Sequence, residues 1–396
     1  MRLNRRFADW LESRWVAPSY SGWLLSGLSI FFFVAATNTL AGWLYVMSGI
    51  GLALLAIAAL LPERTLRKLS VGRAPIHPVS AGDQLTIELM IENGSKQPKT
   101  LLQIQDDLPP NLGNPIKKSI ELIPAAQTYH WIYCYPTRKR GVYRWQTVQF
   151  RTANPLGLFW CRRSRDVKAT AIVYPTVLPL TQCPLIDEMG RDMSLLFNSD
   201  RRAQAATEGL TRSLRPYRWG DPTRLVHWRS SAKYGELRVR ELEVFTGGQE
   251  LIICLDSGFS WRSLPTDDPN LDSFEQAVIA AASLYFYACH RNLNVKLWTA
   301  ATGLIQGNQV VLEALAATQN AEAAITPNLP SFPVVWLTQN PQSLSTLPRG
   351  SRWILWADPS STPLIQDGLP QQRQPGILIQ PERSLQQHLH SQPSIV

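Results

Sequence analysis

The sequence predicts a multi-domain chain: a transmembrane α-hairpin at the N-terminus, an antiparallel β-sandwich after it, and an α/β domain at the C-terminus. Three observations carry this reading. The run from Trp15 to Pro62 contains no Asp, Glu, Lys, Arg or His. From about Val71 to Pro175 the texture changes to short alternating segments, and from Glu250 onwards apolar strand-like runs alternate with helical spacing. The 396 residues leave room for two or three domains of ordinary size.

Residues 1–69 read as the hairpin with basic flanks. As one helix the uncharged run would be about 70 Å long, more than twice the hydrocarbon thickness of a bilayer. It should therefore fold back once, with Thr37-Asn38-Thr39 as the polar break and Ser21–Ala36 and Leu40–Leu61 as the two spans. Trp23, Trp43 and Tyr45 lie near the ends that would meet the interface. Arg2, Arg5, Arg6 and Arg14 precede the first span, Arg64, Arg67 and Lys68 follow the second, and the loop between carries no charge. The positive-inside rule then places both termini, and all that follows the hairpin, in the cytoplasm of a multi-pass cell-membrane protein. A cleaved signal peptide fits poorly, because the run is too long and a second span follows. Five scattered cysteines without a CxxC pair agree with reduced, packed thiols in a cytosolic compartment.

Residues 70–178 read as the sandwich. Gln84–Ile91 is an amphipathic strand closed by the turn Glu92-Asn93-Gly94-Ser95. Leu101–Ile104, Thr128–Tyr135, Gly141–Gln149 and Val167–Val173 add further strands. Strands at this spacing, with few helical periods, fit a small antiparallel sandwich, expected to serve as a spacer.

Residues 179–248 form a different stretch. Pro179 to about Glu208 is polar, poorly periodic and expected to be a linker. Gly209–Glu243 then crowds eight basic residues (Arg212, Arg215, Arg218, Arg224, Arg229, Lys233, Arg238, Arg240) against Asp221, Glu236, Glu241 and Glu243. Tyr217, Trp219, Trp228 and Tyr234 are interleaved with them, which suits a hydrogen-bonded, cation–π-laced platform. Gly220-Asp221-Pro222 reads as a turn, and Leu237, Val239 and Leu242 hint at a strand. Asp221, His227 and Ser230 or Ser231 are the residue types of a nucleophile triad, but no G-x-S-x-G elbow accompanies them. The structural alternative has Asp221 satisfying Arg224 or backbone amides and Trp228 packed.

Residues 249–396 read as the α/β domain. Glu250–Asp256 looks like a buried parallel strand ending in an acid. Leu271–Arg291 and Val310–Ala323 have helical spacing, Val295–Thr299, Pro333–Thr338, Trp353–Ala357 and Gly376–Gln380 read as strands, and Ser384–His390 as a closing helix. Such alternation implies a parallel sheet with functional loops at the carboxyl ends of its strands. Neither G-x-x-x-x-G-K-[ST] nor H-E-x-x-H occurs, so the chain carries no P-loop and no zincin motif.

The series Gly209, Arg212, Arg215, Tyr217, Gly220-Asp221, Arg224, His227-Trp228, Ser231-Ala232, Leu237, Arg240-Glu241 resembles the signature of the DUF58 family. Arg140–Tyr143 and Asn154–Phe159 resemble the β-region of that family, with Asn154 where Asp is common. The resemblance implies a von Willebrand factor A-like domain beside the signature, membrane anchoring, and a MoxR-type AAA+ ATPase as partner. In A-like domains Asp-x-Ser-x-Ser holds Mg²⁺ or Mn²⁺, helped by Thr and Asp from later loops. Here Asp256 and Ser260 match, Gly258 stands in place of the first Ser, and the later strand ends in Thr338-Gln339-Asn340. Asp358 is the candidate substitute for the missing second acid. Otherwise Asp256 caps the loop after it or pairs with an Arg of the signature.

The formal charge of +9 favours a polyanionic partner. Beside a membrane hairpin, lipid accounts for it better than nucleic acid does. The expected function is a membrane-anchored adaptor without a catalytic site. It would hold a partner through Arg212, Arg215, Tyr217, Gly220, Asp221, Arg224, Trp228 and Ser231. The alternative is a divalent-metal-dependent binding protein or enzyme using Asp256.

Overall fold

The computed structural model describes residues 10–189, 211–218, 223, 226–242, 250–262, 272–323, 332–356, 374–380 and 383–393. The chain divides into two compact units, Met1–Tyr174 and Pro175–Val396.

The first unit begins with a helical turn over 10–14 and a two-residue strand β1 (Ala17–Pro18). Helix α1 (Tyr20–Thr39) starts at Ser19, whose hydroxyl accepts from Gly22 N–H, and reverses at Leu40 in the left-handed region. Helix α2 (Gly42–Leu66) returns. Both are long and apolar enough to cross a membrane, and most of their apolar side chains are exposed. The break expected at Thr37–Thr39 falls instead at Leu40-Ala41. Thr37 and Thr39 remain within the helix, and their hydroxyls donate back to the carbonyls of Val34 and Ala35 rather than turning the chain. Small residues close the hairpin: Ser48 Oγ donates to the Ser29 carbonyl, and a Cβ on Gly51 would lie 2.2 Å from Ser29 Oγ.

The sandwich follows, from β2 (Leu69–Arg73), β3 (Val79–Ser80), β4 (Gln84–Asn93), β5 (Lys99–Asp106) and β6 (Ile116–Ile123) to β7 (Thr128–Pro136), β8 (Gly141–Thr152) and β9 (Phe159–Tyr174). One sheet runs β1-β9-β8-β5-β6, with β3 also on β9, and the other runs β2-β4-β7. Period-2 alternation buries Leu89 and Ile91 of β4 with Leu102 and Ile104 of β5 and Val148 and Phe150 of β8, and Leu85 and Ile87 of β4 with Trp145 of β8 and Ala169 and Ala171 of β9. A buried polar cluster also bridges the two sheets. Arg73 Nη1 and Nη2 donate to Asp106 Oδ2 and Oδ1 at 2.6 and 3.0 Å, Tyr133 Oη donates to Oδ2 at 2.6 Å, and Trp145 Nε1 to Oδ1 at 3.0 Å. Burial, then the adjacent Asp106 carboxylate, pushes the Tyr133 phenol well above its ordinary value.

The sandwich grips the base of the hairpin. Strand β1 pairs with Phe159 and Trp160, and Arg163 Nη1 donates to the carbonyls of Ser13 and Trp15. Glu12, buried, receives Arg151 Nε at 2.5 Å, and Ser19 donates to the carbonyls of Leu158 and Gly157. Gly22 is required here, because a Cβ would lie 2.2 Å from the Leu158 carbonyl oxygen. Strand β9 is far longer than the expected Val167–Val173, because Arg162, Arg163 and Arg165 are strand residues that serve this junction.

In the second unit a helical turn over 184–189 lies where a linker was expected, with Cys183, Leu185, Ile186 and Met189 buried in the main core. Residues 190–208 of that expected linker fall outside the described residues. Strand β10 (Thr211–Pro216) pairs antiparallel with β11 (Arg238–Leu242), and helix α3 (Trp228–Tyr234) lies between them in sequence. The main sheet uses β12 (Glu250–Leu255), β13 (Asn294–Thr299), β14 (Gly303–Ile305), β15 (Val334–Thr338), β16 (Arg352–Trp356) and β17 (Gly376–Ile379), in the order β14-β13-β12-β15-β16-β17. All its pairings are parallel except that of β14. Helices α4 (Ser273–His290), α5 (Asn308–Ala317) and α6 (Leu385–His390) contribute to the core on one face. Trp298, Trp336 and Trp353 line the other with Leu344 and Leu347. The strands are thus buried on both faces, as parallel strands are. Helix α5 stops short of the expected Ala323 because Thr318 leaves the helical region and caps it.

Candidate functional site

In sequence order the parallel strands run 2-1-3-4-5, so the connection changes direction between β12 and β15. In such sheets the crevice outside the carboxyl ends at this point is where ligands bind. Asp256 stands there. Its Oδ2 accepts Thr338 Oγ1 at 2.7 Å, its carbonyl accepts Trp261 Nε1 at 2.6 Å, and its N–H donates to Leu337 O at 3.0 Å. Burial raises the Asp256 carboxyl above the ordinary range, opposed by the hydrogen bonds from Thr338 and the Phe259 N–H.

The loops around it are clamped by side chains. Ser257, fully buried, accepts Ala300 N–H on its hydroxyl and Glu322 N–H on its carbonyl. Asn320 accepts Trp261 N–H and donates to Trp261 O, and Gln339 accepts Arg262 N–H. Asp256 therefore caps its own loop and ties β12 to β15, the structural role weighed for it above. Ser260 is exposed and makes no hydrogen bond to Asp256, and a Cβ on Gly258 would meet Ala300 Cβ at 3.3 Å. Among the described residues no three His, Cys, Asp or Glu converge as metal ligands. Among the described residues the oxygen groups shown together here are the Asp256 carboxylate and the Thr338 hydroxyl that donates to it. Asp358 lies outside the described residues.

A native carboxyl held above its unfolded value binds its proton more tightly in the folded state. Its contribution to stability is complete below about pH 3.9 and is lost as pH rises through the raised folded value. Asp256→Asn should therefore raise the melting temperature of the full chain at pH 7 and leave it unchanged near pH 3.5. A lower melting temperature at pH 7 would show that the anion is required there.

The signature residues are only partly described. Arg212 and Arg215 are on β10, Tyr217 follows it, and Trp228 and Ser231 are on α3, whereas Gly220, Asp221 and Arg224 lie outside the described residues. Tyr217 N–H donates to Leu237 O and His227 N–H to Arg238 O, while Val226 bridges Val239. His227 Nδ1 accepts Ser230 N–H at 3.2 Å as the N-cap of α3 and lies 2.8 Å from Ser230 Oγ. Ser231, buried, donates to His227 O and accepts Arg238 N–H. These two serines and the histidine build the turn, so the residue types of a triad are used here as a cap. Trp228 does not pack as weighed above: it is 66% exposed, and Arg218, Arg229, Lys233 and Leu237 of the same segment are exposed too. Sequence reasoning missed the roles of Thr338 and Gln339, although both stand at a strand's carboxyl end, where such contacts are to be sought.

No family model matches the chain, and no curated protein does. Among solved structures, a CARDB domain from Pyrococcus furiosus in complex with di-metal ions is 11% identical, covering 26% of this chain and 91% of its own with a TM-score of 0.19. A Listeria innocua beta-glucosidase is 13% identical, covering 25% and 16%, with a TM-score of 0.15. A Pseudomonas fluorescens alkylpurine DNA glycosylase is 13% identical, covering 38% and 44%, with a TM-score of 0.18. Likeness this slight carries no argument about fold or activity.

Proposed function

We propose that the protein is a membrane-anchored docking subunit. In this reading α1 and α2 span the bilayer, the sandwich and the C-terminal unit lie in the cytoplasm, and the β10–α3–β11 region holds a partner protein. The observation that carries it is the exposure of Trp228. An exposed Trp on a hydrogen-bonded scaffold, in a segment that also exposes Leu237, Arg218, Arg229 and Lys233, has the composition of a binding hot spot with a basic rim.

The partner is then a protein with an acidic rim around an apolar pocket. The resemblance of the signature to DUF58 names a MoxR-type AAA+ ATPase, engaged in assembly or maturation of membrane or envelope proteins. The C-terminal sheet is read as the A-like domain that accompanies the signature, used for binding rather than catalysis. Purification of the full chain from detergent extracts should bring down an AAA+ ATPase. Its repeated absence from extracts in which the ATPase is present would count against the reading.

A further inference from the structure

The end of the sandwich that holds the hairpin carries exposed apolar side chains that its own core does not use. Leu101 is 64% exposed, Leu122 50% and Leu156 44%. Hydrogen bonds place them together at the base of the hairpin. Thr152 Oγ1 donates to Leu101 O, Asn154 Nδ2 donates to Thr100 Oγ1, and Thr100 pairs with Leu122 across β5 and β6. Residues 157 and 158, directly after Leu156, receive the hydrogen bonds from Ser19 at the start of α1.

Basic groups predominate at this end, although Glu92 and Glu121 are exposed there as well. Arg64, Arg67 and Lys68 are exposed at the end of α2, and Arg14 is exposed on the turn before α1, one helical turn from exposed Trp10. Lys99, nearly buried, donates Nζ to the Arg64 carbonyl, adding a cation where α2 ends. Glu63 is shared between Arg67 and Arg163, and Glu12 is buried against Arg151. The backbone is also unusual here, for Lys68 and Leu101 both adopt positive φ, 60° and 53°, without being glycine. Strain of that kind gathers at sites that bind.

We propose that this rim is a second membrane-contact site, in which Leu101, Leu122 and Leu156 enter the interfacial layer while Arg14, Arg64, Arg67 and Lys68 hold the phosphates of anionic phospholipids. It rests on the reading that α1 and α2 span the bilayer, since that fixes the rim at the headgroup level. The site would dock the sandwich on the membrane and set the height and tilt of what it carries. Apolar tips beside cations are the composition of interfacial anchors.

The test uses the full chain with Cys134→Ser and single environment-sensitive fluorophores on Leu101→Cys, Leu156→Cys or Ile50→Cys. Native Cys134, exposed on β7 opposite Thr86 of β4 and so seven residues from Asn93 at the hairpin end, roughly 23 Å, is the distal control. Proteoliposomes are made of phosphatidylcholine alone or mixed with phosphatidylglycerol, with or without a nitroxide lipid. Labels at 101, 156 and 50 should be blue-shifted and quenched, and the label at 134 should not. Substituting Arg64→Gln, Arg67→Gln and Lys68→Gln should weaken quenching at 156 in the anionic vesicles only, by up to about fivefold in partitioning per cation. If 50 is quenched while 101 and 156 behave like 134, the rim inference falls and the spanning helices stand. If 50 is not quenched, the spanning reading falls and takes the rim with it. Equal quenching at 156 in both lipids, before and after the Gln substitutions, overturns the headgroup assignment.

Discussion

Replacing Arg73 by Met should cost the sandwich about 3–5 kcal/mol, enough to unfold it under conditions the wild type tolerates. The side chains of Arg73 and Asp106 are 3% and 0% exposed. Removing the guanidinium leaves the Asp106 carboxylate buried with only the Tyr133 hydroxyl and the Trp145 indole N–H to offset its charge. The penalty is the desolvation of an unpaired ion, and it far exceeds the value of an exposed pair such as Arg67–Glu63. The double variant Arg73→Met/Asp106→Leu should regain only part of the loss, since Tyr133 and Trp145 then lack their acceptor. Thermal melting of the full chain in detergent checks both, and an unchanged transition for Arg73→Met would show that the cluster does not hold the two sheets together.

Trp228→Ala should weaken partner capture by at least about 2 kcal/mol, roughly 30-fold, while melting like the wild type. The two outcomes separate because Trp228 is exposed and its indole does not hold the fold, whereas Ser231 beside it does. Ser231→Ala removes the hydroxyl that joins the His227 carbonyl to the Arg238 amide, so it should disturb the scaffold and the binding together. Titration of the purified full chain against the captured ATPase reads the affinity. If Trp228→Ala binds as well as wild type, the partner surface lies elsewhere.

Long-range composition made the coarse plan of the chain legible. Forty-eight residues without a charge read directly as two apolar helices, and the unbroken apolar run before Asp256 as a parallel strand. Partnership hid the rest. Strand β6 is an edge whose Lys117, Lys118 and Glu121 face solvent, so only Ile120 and Ile123 signal it. The 184–189 turn is too short to show a period, although its apolar residues complete the core under α4. The acid of the candidate site was visible, but its partner Thr338 lies 82 residues away and only the sheet order brings them together. Exposure of Trp228 had no sequence signal, because an aromatic beside Arg reads equally as core or as surface.

The account depends most on a lipid-held hairpin with everything after it on the cytoplasmic side. Native Cys134 reports this directly, being exposed where Cys289 is half-buried and the other three cysteines are buried, and lying far along the sandwich from the membrane end. A membrane-impermeant thiol reagent added to intact cells should leave the wild type unlabelled, and should label it after permeabilisation in a way that Cys134→Ser abolishes. Labelling of Cys134 in intact cells would contradict the account, because the partner surface would then face away from any cytoplasmic ATPase.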